Sequence, residues 1–272
     1  MPFQEIQSRQ NPRIQAAARL ARRRRRDREG RFLIEGLREL AHARAGAPEI
    51  ETVFACPAHF PSDGHHAFWD AWCAAAEYPE RAVRCPAPVF ERLTGRQGPD
   101  GLIGLARWEP PDGRRLLRKL SGAATVLVVD GVEKPGNLGA MLRTADGAGV
   151  AAVLATGPGT DLINPQVIRS SQGLVFRVPV ASMDRAGARS ALEAVGCRMM
   201  ILTPEADQPY WAVDLTGRTA LVVGSEAEGL DPFWRGSGLA GITIPMRGRA
   251  DSLNVATSAA LVLYEALRQR TV

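Results

Sequence analysis

Short apolar runs and helix-period patterns alternate along the second half of the chain. We predict strands at the apolar runs TVLVVDGV, AAVLAT, VPVA, RMMILT, TALVVGSE and ITIPM. We predict helices over NLGAMLRTADGAG, NPQVIRSSQGLVF, RSALEAVG and NVATSAALVLYEALRQR. The second of these helices starts with Asn164 as its cap and Pro165 in its first turn. Nearly continuous apolar strands that alternate with helices are typical of an α/β domain, with a parallel sheet covered on both faces.

The first half of the chain has a less regular pattern. RFLIEG predicts a short strand that enters a helix at Gly36, with Leu37 and Leu40 on the apolar side of that helix. GLIGLARW is a candidate closing strand, and the Pro- and Gly-containing stretch EPPDGRR follows it. We therefore predict a first domain over residues 1–106, a linker over 107–121 and a second domain over 122–272.

The composition is typical of a globular protein, with 45% hydrophobic and 23% charged residues. No apolar run reaches the roughly 18 residues that a membrane helix needs. The first residues, MPFQEIQSRQ, contain no apolar stretch typical of a secretory signal. We therefore expect a cytoplasmic protein with no membrane partner. The four cysteines include no CxxC pair, which predicts free thiols in a reducing compartment.

Positive charge is concentrated near the N-terminus. The whole chain has a net charge of +5, but residues 9–31 contain ten arginines against Asp27 and Glu29, so the remainder is net negative. Guanidinium groups bind phosphate oxygens and release counterions, which predicts a nucleic-acid partner. The alternative is a solvated helix face or a disordered basic tail. The candidate RNA-binding residues are Arg9, Arg13, Arg22, Arg23, Arg24, Arg25 and Arg26.

Two further patterns resemble ligand-binding motifs only superficially. GAGVAA, from Gly147 to Ala152, matches the dinucleotide fingerprint, but it ends a predicted helix and opens a strand, which is the reverse of the required order. The spacing of a second group matches no common zinc pattern, and we interpret its members as core thiols and surface histidines: Cys56, His59, His65, His66 and Cys73. We therefore expect neither a Rossmann-type nucleotide enzyme nor a metal site.

Three polar, glycine-containing segments lie where predicted strands end, which is where open α/β sheets bind ligands. They are DGVEKPGNLGAMLRTADGAG, VVGSEAEGL and IPMRGRADSLNVATSAA. Several of their residues have ordinary explanations as helix caps and turn formers: Asn137, Ser252, Asn254, Gly224 and Gly229. Those roles do not explain Arg143 in an otherwise apolar helix, or Glu226 directly after a buried strand. Buried charge is costly unless it is paired or used.

In this order and spacing, the three segments resemble the motifs of the SpoU, or TrmH-like, branch of the SPOUT RNA methyltransferases. The pattern N-x-G-x-x-x-R is present as Asn137, Gly139 and Arg143. The patterns G-[SA]-E-x-x-G and I-P-M…S-L-N-V are present as Gly224, Ser225, Glu226, Gly229, Ile244, Pro245, Met246, Ser252, Leu253, Asn254 and Val255. The first half, over FLIEGLREL, is similar to the family's L30e-like substrate-binding module.

The resemblance implies methylation of a ribose 2′-hydroxyl in RNA, with S-adenosylmethionine as methyl donor and no metal. It implies a C-terminal parallel-sheet α/β domain of the SPOUT type with a trefoil knot, an N-terminal L30e-like α/β domain that binds the substrate, and a homodimer with active sites near the subunit interface. The cofactor-binding residues that it implies are Gly224, Ile244, Met246, Ser252 and Leu253. The catalytic residues that it implies are Asn137, Arg143, Glu226, Ser252 and Asn254.

Two roles are open for Arg143: stabilising a developing alkoxide or a neighbouring phosphate, or acting as the base. Guanidinium groups hold their proton throughout the accessible pH range, which favours the first role. The sequence EKPG before Asn137 departs from the DPxN arrangement common in the family. It offsets Glu133 by one residue, so that the role of Glu133 stays open.

Ribosomal RNA, and specifically 23S rRNA, is the substrate that we favour, because a basic N-terminal module suits recognition of folded RNA shape. Transfer RNA is the alternative substrate. A non-catalytic RNA-binding protein is the alternative from another class of function, although every motif side chain is present.

Overall fold

The computed structural model describes residues 3–95, 97–159, 161–226, 228–236 and 238–271. The chain forms two compact units. The first contains the residues up to Glu109 together with Ile163–Arg177, and the second contains Pro110–Leu162 together with the residues from Val178 onward. Each unit has its own β-sheet.

The regular elements follow the alternation of apolar and polar positions. The strands are β1 (Gln4–Glu5), β2 (Arg31–Glu35), β3 (Glu49–Ala55), β4 (Ala82–Arg84), β5 (Leu102–Arg107), β6 (Thr125–Asp130), β7 (Ala152–Thr156), β8 (Val180–Met183), β9 (Arg198–Leu202), β10 (Thr219–Val223) and β11 (Ala240–Ile242). The helices are α1 (Pro12–Arg19), α2 (Arg23–Glu29), α3 (Leu37–Arg44), α4 (Asp63–Ala75), α5 (Ala87–Phe90), α6 (Gly113–Leu117), α7 (Pro135–Gly147), α8 (Pro165–Ser170), α9 (Arg185–Ala194), α10 (Pro232–Arg235) and α11 (Val255–Thr271).

One strand prediction was wrong in position. We predicted a strand over ITIPM, whereas β11 ends at Ile242, where that run begins. Thr243 instead forms an isolated bridge with Pro209, and Pro245 supplies no backbone N–H for a ladder. The apolar residues Ile244 and Met246 are therefore outside the sheet.

The first unit contains a mixed sheet in the order β1-β4-β3-β5-β2. β5 pairs antiparallel with β2 and β3, whereas β4 pairs parallel with β1 and β3. Helix α1 covers this sheet with Ile14 and Ala17, which are buried in the same apolar cluster as Phe54 and Phe90. The arginine-rich segment is therefore helical and partly packed, which contradicts the alternative of a disordered tail.

The candidate RNA-binding arginines differ in their surroundings. Arg26 is 2% exposed, and its Nη1 donates to the carbonyl oxygens of Leu20 at 3.0 Å and Ala21 at 2.9 Å. Arg13 donates to Glu80 O at 2.6 Å, and burial lowers its pKa. Both guanidinium groups thus hold the fold together. The side chains of Arg22 and Arg24 are exposed.

The second unit is built on a parallel sheet in the order β11-β9-β10-β6-β7-β8. All six residues of β6 are buried, as expected for a strand covered on both faces. Helix α6 lies within the segment that we predicted as a linker, and Leu117 at its end is buried in the unit's core. A Cβ on Gly113 would lie 2.1 Å from Met183 Sδ, so α6 approaches β8 closely.

The segment Ile163–Arg177 packs in the first unit, although it lies within the predicted second domain. Asn164 caps α8 by accepting from Gln166 N at 2.9 Å, as its sequence predicts. Phe176 then packs against Phe32 with ring centroids 5.8 Å apart. A motif can locate a helix start, but it does not specify which core receives the following apolar residues.

In the described part of the chain, no helix is long and apolar enough to cross a membrane. Among the same residues, no group of three or more His, Cys, Asp or Glu side chains could hold a metal ion. The four cysteines are free and buried. His65 is also buried, and its ring hydrogen-bonds Ser62 Oγ at 2.9 Å and Asp100 Oδ2 at 3.3 Å, so our prediction of a surface histidine was wrong at this position.

Ile14→Ala tests whether α1 is an integral part of the first unit. Ile14 is fully buried, so the substitution should lower the free energy of unfolding by about 2–5 kcal/mol, measured by urea denaturation. Arg19→Ala on the exposed side of the same helix is the control, and it should leave the unfolding midpoint nearly unchanged. Equal effects of the two substitutions would show that α1 does not pack on the core.

Candidate active site

The candidate site lies at the carboxyl edge of the parallel sheet in the second unit. β10 pairs with β6 in a register that sets Val223 opposite Val129. The two loops that leave these strands therefore start side by side, and they carry the first two polar segments. The third polar segment follows β11 and leads into α11. Thus the sheet brings together segments that are far apart in the sequence.

Gly224 begins the loop after β10 and is required by a close backbone approach. A Cβ at this position would lie 2.3 Å from Gly229 O and 2.5 Å from Leu230 N. The loop folds back because Ser225 N donates to Gly229 O at 2.9 Å and Gly229 N donates to Ser225 O at 3.1 Å. Gly229 has φ +68°, which glycine adopts without strain. This turn presents the side chain of Glu226, which follows Ser225, to the site.

Asn254 connects the three segments through its side-chain amide. Its Oδ1 accepts from Ala256 N at 3.0 Å and so caps α11. This contact orients the Nδ2 group, which donates to Asn137 Oδ1 at 3.1 Å and to Glu226 Oε1. One residue therefore has both a capping role and a role in assembling the polar cluster.

Lys134 completes this cluster by donating to Glu226 Oε2. The hydrogen bond from Lys134 is the main reason why the pKa of Glu226 is lowered, and burial opposes it. The amide of Asn137 also lies near Glu226 and helps to lower that pKa, but its buried Nδ2 has no hydrogen bond of ordinary geometry. The cluster thus holds an ionised carboxylate fixed by Lys134 and Asn254, with the amide of Asn137 buried beside it.

A cavity of about 620 Å³ opens beside the cluster. Its charged lining consists of the acidic Glu205, Glu226, Glu228 and Asp251 and the basic Lys134 and Arg235. This excess of carboxylates favours a cationic ligand. Apolar side chains also line the cavity, and they suit a ligand with an apolar body: Leu202, Val223, Leu230, Ile244, Met246, Leu253 and Val255.

Most of the predicted site residues meet at this cavity. Those that line it are Gly224, Glu226, Ile244, Met246, Ser252, Leu253 and Asn254. Asn137 lies just behind them, through its bond from Asn254. Arg143 is not among the lining residues, and its side chain is exposed on α7. Within the chain as the structure describes it, Arg143 makes no hydrogen bond or ion pair, so its guanidinium is accessible to a partner molecule.

Sequence reasoning missed two parts of the site. Lys134 was visible only as a departure from the family pattern, in EKPG, and its partner Glu226 lies 92 residues away. The second part is Thr203, Pro204 and Glu205, which follow β9 and line the cavity. RMMILT was predicted as a strand, and β9 neighbours β10 in the sheet. The rule that ligands bind at carboxyl ends could have indicated this loop, but strand order is not readable from the sequence.

Comparison with known families matches both parts of the chain. Residues 124–264 match the SpoU rRNA Methylase family, and residues 11–104 match the MRM3-like substrate binding domain. The chain is 40% identical to the 23S rRNA (guanosine-2′-O-)-methyltransferase RlmB of Xylella fastidiosa over 166 residues. This aligned region covers 61% of this chain and 67% of that protein.

Two solved structures are similar over nearly the whole chain. A crystal structure of an RNA 2′-O ribose methyltransferase has a TM-score of 0.83 and 39% identity, covering 98% of this chain and 100% of that one. An AdoMet-bound rRNA methyltransferase from Sinorhizobium meliloti has a TM-score of 0.84 and 26% identity, covering 98% of each chain. The predicted α/β fold with an N-terminal substrate-binding domain is therefore confirmed.

Lys134→Met tests the electrostatics of the cluster, because it removes the ammonium group but keeps an aliphatic side chain. The pKa of Glu226 should rise toward its ordinary value, since the bond from Lys134 is the largest cause of its lowering. The lowered pKa stabilises the fold at neutral pH, and this contribution is lost as pH falls through that pKa, so the variant should lose less stability on acidification.

Carboxyl-detected NMR titration would measure the pKa values of Glu226 and Glu205. Glu205 is the internal control, because its pKa is lowered mainly by a hydrogen bond from Thr203 and should not move. A Glu226 pKa that is the same in the variant and the parent protein would contradict the assigned role of Lys134.

Proposed function

The chain belongs to the SpoU rRNA methylase family, and from this premise we propose that it methylates a ribose 2′-hydroxyl of 23S ribosomal RNA with S-adenosylmethionine as methyl donor. The observation that carries the proposal is the polar cluster of Asn137, Glu226 and Asn254 at the edge of the acidic cavity. The complete set of motif side chains supports an enzyme rather than a non-catalytic RNA-binding protein.

The charge and the lining residues of the cavity suit the methyl donor. S-adenosylmethionine carries a sulfonium cation, which the excess of carboxylates would attract. Gly224 lines the cavity at the start of the tight loop that carries Glu226, so its backbone would border the bound donor. Ile244, Met246 and Leu253 would pack against its apolar parts, and Ser252 would offer a hydroxyl. When bound, the donor supplies an activated methyl group on a good leaving group.

The polar cluster would orient the ribose for reaction. A 2′-hydroxyl is a weak nucleophile and must be aligned with the methyl group as it loses its proton. Glu226 is ionised at neutral pH, and the contacts that lower its pKa favour this charged form, so it would accept a hydrogen bond from the hydroxyl and fix its direction. Asn137 and Asn254 hold that carboxylate in place.

We propose that Arg143 stabilises negative charge on the reacting ribose or its phosphate rather than acting as a base. Its guanidinium is exposed and accessible to a partner. An arginine keeps its proton under almost all conditions, and its planar group matches a phosphate or an oxyanion. Because Arg143 lies outside the cavity lining, the substrate or a second subunit must bring the reacting atoms to it.

A homodimer with active sites near its interface is part of the proposal. Most apolar residues of α11 are buried within the unit, but Leu261 and Tyr264 are 38% and 50% exposed. Tyr264 Oη lies 2.8 Å from the position of a Cβ on Gly147, so it faces α7. Arg143 precedes Gly147 by one helical turn and shares that face of α7. An interface over Leu261 and Tyr264 would therefore enclose Arg143.

The substrate proposal rests on both halves of the chain. The 23S rRNA enzyme RlmB is 40% identical over 166 residues, and residues 11–104 match a substrate-binding domain. RNA would be bound by the exposed arginines Arg22, Arg23 and Arg24 and by the partly exposed Arg25 that follows them. Arg9 is a further exposed candidate, which donates to Pro88 O at 2.7 Å, while Arg13 and Arg26 are occupied in the fold. We also propose that the protein is cytoplasmic, where ribosomal RNA is available. We further propose that the C-terminal part of the chain forms the trefoil knot that the family resemblance implies.

Methyl transfer from labelled S-adenosylmethionine onto 23S rRNA tests the proposed activity. The label should appear in alkali-resistant dinucleotides, because a 2′-O-methyl group blocks cleavage of the adjacent phosphodiester. Arg143→Ala should lower the single-turnover rate by roughly a hundredfold, the usual loss for one electrostatic donor. Arg143→Lys should recover little, because it lacks the planar guanidinium. Donor affinity, measured by calorimetry, should be unchanged in both variants.

Two results would contradict these assignments. Labelling of transfer RNA but not 23S rRNA would overturn the substrate, and near-normal turnover in Arg143→Ala would overturn the role of Arg143.

Replacing both Arg22 and Arg24 by alanine tests the RNA interface without disturbing the core. RNA affinity should fall, and the slope of log affinity against log salt should flatten by roughly 1–2, because each lost phosphate contact contributes about 0.7–0.9. The control replaces Arg38 and Arg44, which are exposed on α3 in the same unit. An equal loss in both double variants would indicate diffuse attraction to the whole domain rather than binding at α2.

A further inference from the structure

Arg185, the first residue of α9, forms an ion pair with a carboxylate buried at the end of β6. Asp130 is 1% exposed, and its Oδ1 accepts from Arg185 Nε at 2.8 Å and from Thr156 Oγ1 at 2.7 Å. The hydrogen bond that Arg185 donates to Asp130 is the main reason why the pKa of Arg185 is raised. Because a buried carboxylate is costly without partners, this contact fixes the guanidinium firmly in place.

The same guanidinium makes a second ion pair on its other side. Arg185 Nη1 lies 3.0 Å from Asp231 Oδ2. The other oxygen of Asp231 accepts from Phe233 N at 2.8 Å and caps α10. Asp231 therefore uses its two oxygens for two tasks, the helix cap and the bridge to Arg185. A planar, forked cation suits such a bridge between two carboxylates.

These two carboxylates flank the two loops that form the candidate active site, one at the start of the first loop and the other at the end of the second. Asp130 directly precedes residues 131–136, which include Lys134. Asp231 directly follows Leu230, the last cavity-lining residue of the loop that carries Glu226. The same two loops are in contact through the ion pair between Lys134 and Glu226. The guanidinium of Arg185 therefore joins the start of one loop to the end of the other, and the Lys134–Glu226 pair joins the same two loops at a second point.

The backbone around the bridge leaves room for this guanidinium. A Cβ on Gly157 would lie 2.5 Å from Arg185 Nη2 and 3.0 Å from Asp130 Oδ1. Gly157 has φ +71°, so the chain turns away from β7 without a side chain. The arrangement accommodates one specific position of Arg185.

We propose that Arg185 is a positioning residue for methyl transfer: by bridging Asp130 and Asp231, it keeps the Lys134 loop and the Glu226 loop in the relative position that the cofactor cavity and the polar cluster require. Arg185 touches no reacting atom in this proposal, which rests on the methyltransferase function proposed above. The cavity loses its shape and the cluster its alignment when the bridge is broken.

Asp231→Asn breaks the bridge with the smallest change to the fold. Asparagine keeps the oxygen that caps α10 but removes the charge that pairs with Arg185. Asp184→Asn is the matched control, because Asp184 caps the neighbouring helix α9 by accepting from Gly187 N at 2.7 Å and is not the ion-pair partner of Arg185. Both variants exchange an aspartate for an asparagine at a helix cap, so their thermal stabilities should change by similar amounts.

Two measurements separate positioning from a general effect on stability. Hydrogen exchange of the ligand-free protein should be several-fold faster at residues 131–136 in Asp231→Asn, although Asp231 lies on the far side of Arg185 from that loop. The dissociation constant for S-adenosylmethionine, by calorimetry, and the single-turnover transfer rate at saturating donor should each worsen by about tenfold, equal to roughly 1.4 kcal/mol. Asp184→Asn should change neither property by more than about twofold.

Exchange that is unchanged at residues 131–136, or a donor affinity equal to that of Asp184→Asn, would overturn the proposal for Arg185. If the proposed function itself is wrong, the parent protein will neither bind the donor nor transfer its methyl group. In that case the hydrogen-exchange comparison still decides whether Arg185 couples the two loops.

Discussion

The parallel pairing of β10 with β6 is the constraint on which the candidate active site depends. It places the ends of both strands at one edge of the sheet, with Val223 opposite Val129. The ladder between these strands ends there, so the following residues are free to form loops and to expose polar side chains. Lys134 and Glu226, far apart in the sequence, meet because these loops leave adjacent strands.

The interactions at this edge serve the fold and the chemistry together. Asn254 caps α11 and, with the same amide, holds Asn137 and Glu226. Gly224 permits a tight loop and also lines the cavity. The site is thus stabilised by contacts that the helices and turns need in any case. A substitution at such a residue will change both properties, which is why charge-only changes are more informative than deletions.

Arginine has different roles in this chain because its surroundings differ. Arg26 is buried and donates from Nη1 to two backbone carbonyl oxygens, whereas Arg22 and Arg24 on the same segment are exposed. Arg185 is held between two carboxylates, and Arg143 projects from α7 with its guanidinium accessible. A buried guanidinium must have its donors satisfied, so it stabilises the fold. An exposed one can exchange water for a phosphate group.

The alternation of apolar and polar residues was enough to predict the α/β class and most strand and helix positions, because periodicity is a local property. The family resemblance indicated Gly224, Glu226, Ser252 and Asn254 as candidate site residues, and all four line the cavity. Three features became visible only in the folded chain: the pairing of Lys134 with Glu226, the burial of Arg26 beside the exposed Arg24, and the packing of Phe176 in the first unit. Each of these depends on strand order or on which core receives a side chain. Those choices follow from contacts between distant segments, and no local pattern records them.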